Sequence, residues 1–509
     1  MTTSNSTAEP SGRLVARNTL YNVLGQALPV LVGIAAIPVT VRSLGEARFG
    51  LLGLAWAILG YVGVLDLGLG RATTKFVAEY LAAGDDARLR GVATLAVVSQ
   101  ALMGVLGGAL LALLASPLTG VLGVPPVLHS EARGMLFALA LSVPFVVLSA
   151  SLRAILEAAQ RFDLANLIRT PTSAAVLLVP AVAAALGAHL PAIVLWLVLV
   201  RIAACWATAV AIPHAIPGFR WTLDVPWDTL GPLLRFGGWV SVSNAVSPLL
   251  VYMERFLLAS LAGVAAVAYY TAPYEVVTRL LIVPAGLATA LFPALSASGH
   301  APAGDAGAFH ERLFARPLRF LLLALAPLVI LLIVCGGPLI GVWLGPAYGA
   351  RSTTPFVILA VGVLINGLAF LPYAYLLGRG RPDLPAKFHL LELPLYVLAG
   401  WLLIRQLGVN GAAWAWTLRV TADAALLSAA VWRVAGVTPE RFLGEGGRGW
   451  RAVTAVAALA AAGAMGAALV PAAGARIAFG VGAAVAFAVG VWRYVLDDAE
   501  RAGVRRVLT

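Results

Sequence analysis

Run after run of about twenty apolar residues recurs along this chain, and a run of that length is what crosses the ~30 Å hydrocarbon core of a bilayer as a helix. In lipid the backbone must satisfy its own hydrogen bonds, so a spanning chain is either helical or a closed β-barrel. Barrel strands alternate apolar and polar residues. These runs are continuously apolar, at about 18–40, 50–70, 91–115, 134–152, 170–188, 191–213, 236–258, 265–292, 320–343, 354–377, 388–404, 409–432, 452–470 and 476–492. The expected fold is therefore an all-α integral membrane protein with about fourteen transmembrane helices. Composition agrees: 61% of residues are hydrophobic and 11% charged, and the mean hydropathy is +0.92. A soluble enzyme, a disulfide scaffold and a disordered chain are excluded.

Charge sets the orientation. The chain carries 35 Lys+Arg against 23 Asp+Glu, a net +12, and in a soluble protein that excess would point to nucleic acid. Here the basic residues are dispersed between the apolar runs, so they report topology and no nucleic-acid partner is expected. With the N-terminus inside, the cytoplasmic segments hold 25 of them. The opposite loops hold seven: Arg42, Arg48, Arg133, Arg255, Arg351, Arg405 and Arg476. Arg201, Arg279 and Arg419 fall inside spans. An even number of spans then leaves both termini in the cytoplasm, and the polar start (MTTSNSTAEPSGR) reads as a tail and not as a cleaved signal. Cys205 and Cys335 lie in apolar segments with no metal-type spacing, so they read as small buried hydrophobes.

The stretch 214–235 (PGFRWTLDVPWDTLGPLLR within it) is amphipathic and reads as a cytoplasmic linker helix. An internal repeat accompanies it. GRATTKFVA (Gly70 to Ala78) and GLATALFPA (Gly286 to Ala294) share Gly, Ala, Thr, Phe and Ala at one constant offset. The expected organisation is an N-tail (1–17), a six-helix lobe (18–213), the linker (214–235), a second six-helix lobe (236–432), and two additional helices with a C-tail (433–509).

Several segments resemble bacterial polysaccharide flippases, the O-antigen and capsule transporters of the multidrug/oligosaccharidyl-lipid/polysaccharide exporter superfamily. The first two spans carry the resemblance, above all the LDLGLG run (Leu65 to Gly70) with its basic helical exit. LEAAQRFDLANLIRT (Leu156 to Thr170), ERFLLASLAGVAAVAYYTAPYEVV (Glu254 to Val277), WLGPAYGA and GVNGAAWAW are similar to the family too. The likeness covers roughly the first twelve spans. It implies two six-helix lobes around a central cavity, in the bacterial inner membrane. It also implies alternating-access transfer of an undecaprenyl-diphosphate-linked oligosaccharide to the periplasmic leaflet. The implied partners are that lipid-linked substrate, membrane lipids, and a polysaccharide polymerase with its chain-length machinery.

Ionisable groups inside spans are costly, and so they mark candidate sites. Glu275 and Arg279 lie four apart on one face of span eight. Two readings stay open: a self-neutralising ion pair, or a cavity wall where Arg279 meets a diphosphate through its planar fork. The resemblance favours the second, because lipid II flippases place an essential arginine in the corresponding helix. Arg419 and Asp423 repeat the spacing in span twelve and read as a structural pair. Arg17, Arg71 and Lys75 at the cytoplasmic ends of spans one and two are either topology signals or a vestibule gathering an anionic headgroup. Asp66 is expected to pair with Arg71. Asn18, Asn22 and Gln26 in span one, Asn244 and Tyr252 in span seven, and Tyr270 and Tyr274 in span eight are cavity groups for a sugar or, equally, interhelical hydrogen bonders. Pro29, Pro38, Pro248 and Pro273 are expected to kink their helices.

The six histidines fall at loops or span ends without metal-ligand spacing, and no Walker A, GxSxG or DxD pattern occurs. No enzyme activity, cofactor or metal is expected. The competing readings are a cation-coupled multidrug antiporter of the same superfamily and a non-transporting scaffold of a polysaccharide assembly complex. A membrane glycosyltransferase lacks its usual large periplasmic loop here.

Overall fold

The computed structural model describes residues 12–66, 69–222, 246, 248–297, 311–435, 447–470, 473–496, 498 and 500–502. Among them all regular structure is helical, and eight helices are long and apolar enough to cross a membrane by those criteria alone. Every predicted span falls on a helix, span seven from residue 248 onward apart from residue 246. The described chain divides into two compact units, Met1–Ala265 and Ala266–Thr509.

In the first unit, α1 (Gly12–Val62) carries spans one and two. Gly45 breaks it into two arms, 12–44 and 46–62, with φ 73° and ψ 173°. A side chain at that φ is strained, so glycine makes the turn possible. The helix starts within the segment expected to be a polar tail. A 3₁₀ turn (Gly63–Asp66) leads to α2 (Leu69–Ala83), α3 (Asp86–Val121), α4 (His129–Ala158), α5 (Phe162–Ala185), α6 (Leu190–Ala215) and α7 (248–262). Asp85 starts α3 by accepting a hydrogen bond from the backbone N–H of Arg88 at 3.1 Å.

Small residues let α3 and α4 approach closely, as membrane helices without a hydrophobic drive between them require. A Cβ on Gly104 would stand 2.5 Å from Cα of Pro144, and one on Gly108 would stand 2.6 Å from the Ala140 carbonyl oxygen. Backbone cannot yield as a flexible side chain does. Gly104→Leu is therefore expected to destabilise the first unit by about 1–3 kcal/mol, read as a lowered melting temperature of the purified protein. An unchanged melting temperature would show that the helices part freely.

Polar ties place the predicted outer turns of this unit at one end. Arg48 Nε donates to both Glu131 carboxylate oxygens at 3.0 and 2.9 Å. The backbone N–H of Leu190 donates to the same carboxylate at 3.1 Å. Three turns read as non-cytoplasmic thus meet. Residues flanking the predicted inner turns, Leu69, Leu89, Leu156, Ala165 and Ile216, share one buried cluster. Reporter fusions after Arg90, Asp305 and Leu508 are expected to read cytoplasmic, and one at Arg351 periplasmic. A periplasmic C-terminus would contradict the even span count.

In the second unit α8 (Val264–Val277) passes through a 3₁₀ turn (Thr278–Leu281) into α9 (Ile282–Ala297). Then follow α10 (Arg316–Leu344), α11 (Pro346–Gly378), α12 (Asp383–Leu407), α13 (Val409–Ala435), α14 (Arg448–Leu469) and α15 (Ala473–Gly490). Ser352 Oγ donates to the Tyr269 carbonyl at 2.9 Å, and Arg351 donates to the Tyr269 hydroxyl at 2.7 Å. The last two helices pack on α10: Leu459 against Ala326, Ile330 and Val334, and Ala452, Val491 and Val495 against Leu323. Cys205 and Cys335 are both buried free thiols.

Candidate functional site

Span eight is not one continuous α-helix. Pro273 sits inside regular α8, and the helix instead tightens at Thr278–Leu281. A 3₁₀ stretch inside a longer helix marks a hinge or a strained site. Thr278 Oγ1 donates to the Tyr274 carbonyl at 2.6 Å, and Arg279 lies in that turn. Its Nη2 donates to Glu275 Oε2 at 3.0 Å, with the Arg279 side chain 41% exposed and that of Glu275 19%. A pair this exposed contributes only about 0.3–0.5 kcal/mol. A phosphate binding both guanidinium edges is worth several times more, so the pair yields easily to such a ligand.

Tyr270 and Tyr274 take another role in this conformation. Tyr270 is fully buried and Tyr274 nearly so. Their rings lie 5.6 Å apart, and Tyr274 meets Trp416 edge-on at 5.7 Å. They anchor α8 to α13 within the second unit and do not line an open surface. Inside a lobe that burial is where an aromatic ring with one polar tip packs best.

The first-unit candidates are only partly described. The side chains of Arg17, Asn18, Asn22, Gln26 and Arg71, and all of Asn244, lie outside the described residues. Lys75 is exposed on α2, its ammonium 5.0 Å from the Phe76 ring centroid. Asp66, expected to face Arg71, caps α2. It accepts the Gly70 backbone N–H at 3.0 Å and the Gln100 side-chain amide at 2.5 Å. Asp66 thus ties the start of α2 to α3.

Three groups depart from their sequence reading. Arg255, counted with the outer loops, is fully buried in α7 beside buried Glu254. Its guanidinium lies 5.5 Å from the Tyr252 ring, and Tyr61 packs against Tyr252 and Phe256 at 6.0 and 5.3 Å. Arg419 and Asp423, read as partners along one helix, each face α12. Arg419 lies 3.7 Å from Glu392, and His389 lies 3.8 Å from Asp423. His389, in the second turn of α12 at the end of its predicted span, is half-buried beside Asp423. The spacing itself held a signal. Gly408 turns α12 into α13, Glu392 lies sixteen residues before it and Asp423 fifteen after it. In an antiparallel hairpin such residues stand level.

The described helices are those of a multi-pass membrane protein. Residues 15–298 match the polysaccharide biosynthesis protein family, and the chain belongs to that family. It is 29% identical over 417 residues to a Shigella flexneri protein assigned as an O-antigen transporter, covering 81% of this chain and 96% of the relative. The lipid II flippase MurJ in an inward closed conformation superposes with a TM-score of 0.70 at 11% identity, over 94% of this chain and 99% of the flippase. An inward-facing multidrug resistance MATE family transporter superposes at 0.68 with 16% identity, over 81% and 94%. These identities speak for the fold alone, which the chain shares with both transporters.

Proposed function

We propose that this protein is a flippase moving an undecaprenyl-diphosphate-linked oligosaccharide from the cytoplasmic to the periplasmic leaflet of the bacterial inner membrane by alternating access. The observation that carries the reading is the Glu275–Arg279 pair, partly exposed where α8 passes into the 3₁₀ turn of span eight. A diphosphate leaving water needs compensating charge, because an unpaired charge taken into protein costs several kcal/mol. Arg279 supplies that charge, and Glu275 holds its fork ready until the ligand displaces it. Arg17, Arg71 and Lys75 gather the headgroup at the cytoplasmic ends of spans one and two. Asn22, Gln26 and Asn244 offer amide partners to the sugars. Both termini lie in the cytoplasm, and a polymerase with its chain-length machinery receives the product. No step calls for an enzyme's chemistry or a cofactor.

Deleting the gene in its host is the test. Surface polysaccharide is expected to disappear while its lipid-linked precursor accumulates on the cytoplasmic leaflet. Normal surface glycan and no accumulated precursor would overturn the proposal.

A further inference from the structure

Four ionisable groups meet within the α12–α13 hairpin, away from the span-eight pair. Glu392 is 4% exposed and Asp423 7%. Arg419 stands 3.7 Å from Glu392 and His389 3.8 Å from Asp423. Among the described residues, neither Glu392 carboxylate oxygen, nor Asp423 Oδ1, meets a donor from another kind of side chain at hydrogen-bond distance, and the two carboxyls lie close enough to share a hydrogen bond when one is protonated. Aromatic rings flank the cluster: Tyr373 of α11 stacks on His389, and Tyr396 of α12 lies under the Arg419 guanidinium. The other charged groups near the start of α12 are engaged elsewhere, Arg381 and Lys387 both pairing with Asp383.

The charges of this cluster do not balance. Two carboxylates face one permanent cation, so a neutral histidine leaves a net negative charge inside the bundle. Burying an uncompensated charge costs several kcal/mol. One further positive charge restores neutrality, on His389 or on one of the carboxyls. A metal ion is the poorer candidate, because Arg419 already stands beside Glu392, and the described residues hold no cluster of three metal-type ligands.

We propose that His389, Glu392, Arg419 and Asp423 form a binding site for one exchangeable proton, whose occupancy is coupled to the transport cycle. The coupling rests on the flippase reading; the proton site does not. With the proton on His389, the cluster consists of two opposite-charge pairs, His389–Asp423 and Arg419–Glu392, both bridging α12 and α13. When the proton leaves, Asp423 loses its partner and the two carboxylates compete for Arg419. That change acts on the contact between two spans, where a two-state shift would be felt.

The test uses the full-length purified protein in lipid, followed by infrared difference spectroscopy while pH is stepped between about 5 and 8. The wild type is expected to take up, reversibly, one proton more than the carboxyl variants below, in which the five other histidines titrate alike. Glu392→Gln or Asp423→Asn leaves one carboxylate with Arg419, a neutral set that folds normally, and that additional proton is no longer taken up. His389→Gln leaves the excess negative charge and moves the proton to a carboxyl, so a protonated-carboxyl band appears at neutral pH. In cells, wild-type glycan export is expected to vary several-fold with external pH, and that of Glu392→Gln to be flat. Spectra identical in the wild type and all three variants would overturn the site. Altered spectra with pH-insensitive export throughout would overturn the coupling. Spectra as expected with no lipid-linked oligosaccharide moved by any version would overturn the flippase reading and leave the proton site standing.

Discussion

Arg279→Glu is expected to abolish surface-glycan export while the protein reaches the membrane at normal abundance. The ion pair with Glu275 spans 3.0 Å on a partly exposed helix face, so its loss costs the fold little. Reversing the charge has a larger effect on the ligand. It places two carboxylates one turn apart, where like charges repel, at the position proposed to receive a diphosphate. Arg279→Lys keeps the charge and loses the planar fork. Losing one charge-assisted hydrogen bond is worth about 1.5–3 kcal/mol, so export is expected to fall by ~10–100-fold. Complementation of a flippase-deficient strain, scored for surface glycan and membrane abundance together, measures both. Normal export by Arg279→Glu at normal abundance would reduce the pair to a structural contact.

Arg319→Ala is expected to lower the stability of the second unit by about 3–5 kcal/mol, the scale of removing one partner from a buried ion pair. Arg319 on α10 is completely buried and donates to Glu500, whose side chain is 1% exposed. Arg316 adds a contact to the same carboxylate at 3.4 Å. Glu500 lies beyond α15, so this pair fastens the last two helices to α10 together with Leu323, Ala452 and Val495. The alanine variant leaves the Glu500 carboxylate buried with a weaker partner. A lower melting temperature and faster protease cleavage before α14 are the expected readouts. Replacing both residues with apolar ones of similar volume, Arg319→Met with Glu500→Leu, is expected to recover most of the loss. A single variant as stable as the wild type would mean that α14 and α15 are held by apolar packing alone.

The helices were legible in the sequence because each apolar run must satisfy its own backbone in lipid, whatever its neighbours are. Where the helices break was less legible. Pro273 signals a kink from sequence, yet span eight tightens at Thr278–Leu281. The position of a break depends on what packs against the helix, and Leu281 and Pro284 there lie close to Gly367 on α11. The same limit governs the charged groups. Spacing along one helix correctly paired Glu275 with Arg279. It also paired Arg419 with Asp423, whereas both face α12, because periodicity reveals a shared helix face and not the occupant of the opposing one. Tyr270 and Tyr274 show the limit again: four-residue spacing puts them on one face, and only the packing of Trp416 makes that face interior.

The most direct measurement reconstitutes the purified protein in vesicles carrying an undecaprenyl-diphosphate-linked oligosaccharide. A membrane-impermeant glycosidase added outside trims only glycan in the outer leaflet. With wild-type protein the inner-leaflet pool should become accessible over time. Arg279→Glu should leave it protected, as in protein-free vesicles. Wild-type vesicles that protect their inner pool as well as empty ones, or that expose it equally with Arg279→Glu, would contradict the account.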